Sequence, residues 1–243
     1  MRCNVIYEDS DVLVIRKPAG LATQSAAPGQ PDAVSELKKY LVSTRSQGAP
    51  RKAEPKAEPP YLGIIHRLDQ PVEGLLVFAK TKRAASTLSK ELSENELNKR
   101  YLAAVCGGAK AEEGELEDYL LKDGTMARVA TENEKERQGV KLAKLKYRLL
   151  ARKEGISLLE VRIETGRFHQ IRVQLAHAGM PILGDRKYGT QDSKELGEKL
   201  GFQCVALAAC SLEFVHPTTK KRLSFECKPD WEILFYDKTA GET

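Results

Sequence analysis

Two tight-turn signatures constrain how the middle of this chain folds. Asp123-Gly124 interrupts "GELEDYLLKDGTMARVA", and Glu154-Gly155 interrupts "VKLAKLKYRLLARKEGISLLEVRIET". Each turn is flanked by runs rich in leucine, valine and tyrosine, so each predicts a β-hairpin. Ahead of them, "NKRYLAAVCG" reads as a strand with Tyr101, Ala103 and Val105 on one face. Few helical segments are placed to serve as parallel crossovers. The prediction is an α+β fold: a mostly antiparallel mixed central sheet flanked by helices and loops.

The N-terminal part fits the same class. "CNVIYEDSDVLVIRKPAGL" reads as two short strands around an Asp-Ser-Asp turn, ending in a Lys17-Pro18-Ala19-Gly20 loop. "DAVSELKKYLVS" is helical, with Val34, Leu37 and Leu41 at helical spacing. Residues 44–60 are rich in Pro, Ala, Lys and Glu, too polar to order themselves, and predict a mobile inserted loop. Strands are expected over Tyr61–His66 and Gly74–Lys80, and a helix over "RAASTLSKELSENE". With 243 residues, 41% of them hydrophobic, the chain can bury a core of its own; the length allows one large domain or two small ones, and residues 1–243 are read as one.

Charge and cysteine usage narrow the setting. The net charge is +5, but residues 91–140 carry seven Lys/Arg against twelve Asp/Glu, while 141–190 carry eleven against four. A basic segment of that size suits a polyanion, although charge alone is a weak guide to nucleic acid. Five cysteines, at 3, 106, 204, 210 and 227, form no Cys-x-x-Cys pair, as in a reducing compartment. No apolar run reaches signal-peptide or membrane-spanning length, so a soluble cytoplasmic protein is expected.

Two stretches stand out chemically. In "HRLDQPVEGLLVFAKT", His66, Arg67 and Asp69 stand beside an apolar run, Leu75–Ala79. By itself Asp69 is either a turn aspartate accepting backbone N–H groups or a reacting carboxylate. In "ETGRFHQIRVQLAHAGMPILGDRKYG", Thr165 reads as an N-cap, Phe168, Ile171, Leu175 and Ala178 as an apolar face, and Gly179 as the residue just past the C-cap. Arg167 and Arg172 then fall in the first two turns, at the positive end of the helix dipole. A cation there is disfavoured by about 0.3–1 kcal/mol relative to an anion, so a carboxylate or phosphate is expected close by.

Together these residues resemble the RluA-type family of pseudouridine synthases. The resemblance rests on His66, Arg67, Leu68, Asp69, Gly74, Leu75, Leu76 and Ala79–Thr81; on Lys17, Pro18 and Gly20; on Lys99, Tyr101, Ala103, Val105 and Gly107; on residues 165–189; and on Leu212, Phe214, His216 and Pro217. These occur in family order over nearly the whole chain. The sequence departs from the pattern at Val72-Glu73, where a Thr-Ser pair is usual, at Gln174, where a histidine is usual, and at Ala208 in Leu207-Ala208-Ala209.

The resemblance implies a pseudouridine synthase fold and isomerisation of uridines in structured rRNA or tRNA. It implies catalytic roles for Asp69, Tyr101 and Arg172, and substrate-binding roles for Arg67, Arg167 and His66. Asp69 is the reacting group, Arg172 its cationic partner and Tyr101 a proton-transfer or stacking residue. Arg67 stands where the target nucleotide is flipped out. No cofactor is expected, because nothing is oxidised. No metal is expected either, since His66, His169, His177 and His216 lack ligand spacing. No S4-type RNA-binding region is read ahead of the matched segments, and the enzyme is expected to act as a monomer on RNA, away from membranes. The rival readings are a catalytically silent RNA-binding protein, against which Asp69, Tyr101 and Arg172 argue, and an enzyme acting on free nucleosides or another glycoside, where a glycosidase normally uses two carboxylates and only one stands out.

Overall fold

The computed structural model describes residues 1–25, 27, 29–47, 59–94, 96–109 and 111–236. In chain order the elements are β1 (Asn4–Glu8), β2 (Val12–Lys17), α1 (Ala33–Gln47), β3 (Gly63–Ile64), β4 (Glu73–Ala79), α2 (Lys82–Ser93), β5 (Asn98–Cys106), β6 (Glu113–Asp123) and β7 (Met126–Val129). They continue with β8 (Val140–Lys153), β9 (Ile156–Ile163), α3 (Gln170–His177), α4 (Gln191–Lys199), β10 (Leu207–Val215) and β11 (Arg222–Glu226). The α+β architecture expected from the sequence is present. The chain forms two compact units, Met1–Asn98 with Ser211–Cys227, and Lys99–Cys210 with the chain from Lys228.

In the first unit, β2 pairs antiparallel with β1 on one side and β4 on the other, and Ser211–Val215 of β10 forms a hairpin with β11. Val12 and Val14 of β2, Leu75 and Val77 of β4, and Leu212 and Phe214 of β10 share one core. The intervening residues Leu13, Ile15, Leu76 and Phe78 are buried too, so β2 and β4 are covered on both faces. Helix α2 adds Ala84 and Leu88 to that core, and its Thr81 cap accepts the Ala84 N–H at 3.1 Å.

The expected strand over Tyr61–His66 shrinks to Gly63–Ile64. Two prolines precede it and Tyr61 is exposed. At its far end the chain turns away, and the His66 Nε2 accepts the Val77 N–H at 3.4 Å, so a side chain takes the place of a ladder carbonyl. Helix α1 runs on to Gln47, four residues into the segment read as a loop from 44, and the rest of that segment through residue 58 lies outside the described residues.

The second unit contains the antiparallel ladder β5-β9-β8-β6-β7. Both hairpins close at the predicted places. Lys153 pairs with Ile156, leaving Glu154 and Gly155 with φ of 48° and 79°, the signature of a type I′ turn. Asp123 pairs with Met126 around Gly124, whose φ is 54°. Helix α3 lies against this ladder through Val173, which packs on Leu120, Ala127 and Ala143.

Helix α3 begins four residues later than its Thr165 signal predicts. The Thr165 hydroxyl is drawn away to the Lys144 N–H at 2.9 Å and to Gln170 Oε1 at 2.8 Å. The cap is His169 instead, in the left-handed region with φ of 54°. Phe168, expected on the apolar face, is therefore ahead of the helix and exposed. The C-terminal signal holds: Gly179, with φ of 77°, follows the Ala178 cap, and the Met180 N–H returns to the Leu175 carbonyl at 2.8 Å.

Candidate active site

In the first unit, Asp69 sits half-buried on the turn that leads into β4, and its own carbonyl accepts the Val72 N–H at 3.0 Å. That turn is latched to the segment after β2. Thr23 Oγ1, itself buried, donates to the Leu68 carbonyl at 2.9 Å and accepts the Leu68 N–H at 3.1 Å. The Gly20 N–H reaches the Gln70 carbonyl at 2.9 Å, and Gln70 Nε2 returns to the Gly20 carbonyl at 3.1 Å. The fully buried Lys17 completes the latch, donating from Nζ to the carbonyls of Pro18, Leu21 and Gln70 at 3.0, 2.6 and 3.2 Å. Gly20 takes φ of 80°, which explains why a glycine ends the Lys-Pro-x-Gly loop.

This latch holds the residues on both sides of Asp69 and so fixes the backbone that carries the carboxylate. Arg67 projects outward as an exposed side chain between buried His66 and buried Leu68. Of the departures from the family pattern, Val72 is buried in this unit and Glu73 pairs with Arg16 at 2.9 Å.

In the second unit, Arg172 lies in the first turn of α3. Its Nε and Nη2 donate to the two carboxylate oxygens of Asp185, both at 2.7 Å, and both side chains are buried. Here is the anion that the position of Arg172 called for. Asp185 Oδ1 also accepts the N–H groups of Lys187 and Tyr188 at 3.0 and 3.2 Å. The Tyr188 ring lies under the guanidinium, 5.1 Å from ring centroid to Cζ. The Tyr188 hydroxyl accepts the Ala127 N–H at 2.8 Å and meets His169 Nδ1 at 2.6 Å. The guanidinium is thus held in plane and orientation from two sides.

Tyr101 is buried on β5, paired across to Val161. Arg167 precedes α3 and donates from Nε to the Leu142 carbonyl at 2.8 Å, while its N–H meets Gln170 Oε1 at 2.9 Å. Gln174, at the family's usual histidine position, is fully buried. Its Nε2 faces Asp118 Oδ2 at 2.8 Å, and its Oε1 has no hydrogen-bond partner among the described residues.

The structure therefore places His66, Arg67 and Asp69 on one loop of the first unit, and Tyr101, Arg167 and Arg172 in the second. Sequence reasoning passed over Asp185, Tyr188, Lys17 and Thr23. The first three lie inside segments that carried the resemblance, "GDRKYG" and Lys-Pro-x-Gly, whereas Thr23 has no local signal. Among the described residues, no group of three or more His, Cys, Asp or Glu side chains is arranged to hold a metal ion. No helix there is long and apolar enough to cross a membrane.

Comparison with known proteins identifies the family. The family profile described as RNA pseudouridylate synthase matches residues 11–177. The ribosomal large subunit pseudouridine synthase D of Zymomonas mobilis is 32% identical over 240 residues, covering 95% of this chain and 71% of that protein. The protein of the same name from Xanthomonas campestris is 36% identical over 229 residues, covering 89% of this chain and 62% of its own length. An uncharacterized RNA pseudouridine synthase of Aquifex aeolicus is 37% identical over 232 residues, covering 92% of this chain and 68% of its own. These relatives are longer than the segment they share with this chain. Among solved structures, human RNA pseudouridylate synthase domain containing 4 superposes with a TM-score of 0.71 at 22% identity, covering 95% of this chain and 90% of that one. The fold is thus shared with a pseudouridylate synthase domain, and by sequence this chain belongs to the RNA pseudouridylate synthase family.

Proposed function

We propose that this chain converts uridine to pseudouridine in large-subunit ribosomal RNA, with Asp69 as the reacting carboxylate. The observation that carries the assignment of Asp69 is the latch around it. Lys17, Gly20 and Thr23 hold the residues on either side and so fix the backbone that carries the half-buried carboxylate. A reacting group has to be held in place by its supporting shell, and a carboxylate built on a latched turn meets that requirement. The choice of ribosomal RNA rests on the relatives named for it.

The chemistry needs one bond exchanged for another. The N1–C1′ bond breaks, the uracil turns, C5 joins C1′, the C5 hydrogen leaves as a proton, and N1 takes up a proton. A carboxylate assists that exchange as a nucleophile or by stabilising the separated sugar, and no electron is gained or lost. In this reading Tyr101 handles a proton late in the sequence, and Arg172 supplies positive charge. Arg67 takes part in exposing the nucleotide, with Arg167 and His66 supporting RNA binding. The reading carries a single catalytic domain that works as a monomer in the cytoplasm.

Release of tritium from RNA made with C5-tritiated uridine tests the proposal. Large-subunit ribosomal RNA is expected to release label and a transfer RNA pool is not. Release from transfer RNA alone would move the substrate assignment, and release from neither would remove the activity.

A further inference from the structure

We propose that Lys99 is an RNA phosphate contact on the sheet face that carries Tyr101, an inference that rests on the reading of this chain as an RNA-modifying enzyme. Lys99 stands two residues before Tyr101 on β5, so strand alternation puts the two side chains on the same face, roughly 7 Å apart along the strand. Arg100 pairs with Arg162, which sets Lys99 opposite Ile163. Ile163 in turn pairs with Leu145 on β8. The row across the sheet from Lys99 is therefore apolar, whereas the opposite face carries Arg100, Arg162 and Lys146 among glutamates.

The Lys99 side chain makes no hydrogen bond or ion pair among the described residues, in contrast to the neighbouring charged side chains, and it is only partly exposed. Burial pushes its ammonium down to about 8. A half-buried cation facing isoleucine and leucine has lost hydration with nothing in return. A phosphodiester arriving on this face returns that interaction as a charge-assisted hydrogen bond.

Other titratable groups do not account for the same effect. On this face β5 offers Tyr101, β8 offers Tyr147, and β6 offers Asp118, which is engaged by Gln174 and His177 at 2.8 and 3.0 Å. Helix α3 offers Arg172, already paired with Asp185. The Leu207–Cys210 part of β10 offers only the Cys210 thiol, bonded to the Arg100 carbonyl at 3.3 Å.

A bound phosphate favours the charged form, so RNA binding raises the lysine's proton affinity and affinity for RNA falls as pH rises. With the free lysine titrating at about 8, the Kd is expected to weaken roughly tenfold between pH 7 and pH 9. The experiment measures Kd for an in vitro transcript of large-subunit ribosomal RNA across that range, for the wild type, Lys99→Arg and Lys99→Met. Lys99→Arg is expected to bind with a flat profile, because guanidinium stays charged throughout. Lys99→Met is expected to bind weakly with an equally flat profile. Ionisation of RNA bases would tilt all three profiles alike. A flat wild-type profile, or a Lys99→Arg profile as steep as the wild type, overturns the proposal, and the arginine variant decides the matter even if the methionine variant fails to fold. Wild-type protein that neither binds the transcript nor releases tritium from any RNA overturns the parent reading together with this one.

Discussion

At the scale of single residues, two of the candidate arginines have different surroundings. Arg172 is buried in a bidentate pair with Asp185, and removing the carboxylate takes a directly bonded counter-charge away from a buried guanidinium. Asp185→Ala is expected to cost about 3–5 kcal/mol in chemical denaturation, and the double variant Arg172→Met/Asp185→Leu is expected to recover part of that loss. Arg67 is exposed, and its replacement is expected to leave stability nearly unchanged. Its effect belongs to the RNA. If Arg67 helps to extrude the uridine, Arg67→Ala slows single-turnover reaction more on a folded stem-loop than on an unstructured oligonucleotide, where unstacking is already partly done. Equal losses on both RNAs, with a salt dependence of binding reduced by about one charge, would assign Arg67 to phosphate binding instead.

At the scale of elements, the latch between the Lys17–Thr23 segment and the Asp69 turn ties stability to geometry. Thr23→Val keeps the shape but strands the Leu68 N–H and carbonyl, at an expected cost of about 2 kcal/mol. If the latch positions Asp69, kcat falls while KM changes little. A variant that loses stability with kcat intact would make Thr23 purely structural. The elements also show what was legible beforehand. Hairpin turns were readable because Gly124 and Glu154-Gly155 meet a local requirement for positive φ, and β2 and β4 because their apolar runs are buried on both faces. The start of α3 was not readable, because the Thr165 hydroxyl bonds to Lys144, a residue 21 positions away. The strand expected over Tyr61–His66 failed for a similar reason, with the His66 ring taking the Val77 N–H 11 residues on. Asp185 escaped because pairing with Arg172 spans 13 residues and leaves no periodic trace, although the dipole argument required an anion there.

At the scale of the whole molecule, a net charge of +5 is modest for a partner as highly charged as RNA. Recognition therefore depends on where cations are placed more than on their number. The family membership fixes the reaction class, and the candidate residues divide its labour. Asp69 carries the central claim, since every other role is defined by reference to it. The decisive measurement is tritium release from C5-tritiated large-subunit ribosomal RNA by the wild type and by Asp69→Asn, alongside thermal unfolding and RNA binding of both. The amide keeps size and shape but loses nucleophilicity. The account predicts wild-type release, a loss of at least about a thousandfold in the variant, and little change in Tm or Kd. Substantial turnover by a folded, RNA-binding Asp69→Asn protein would contradict it.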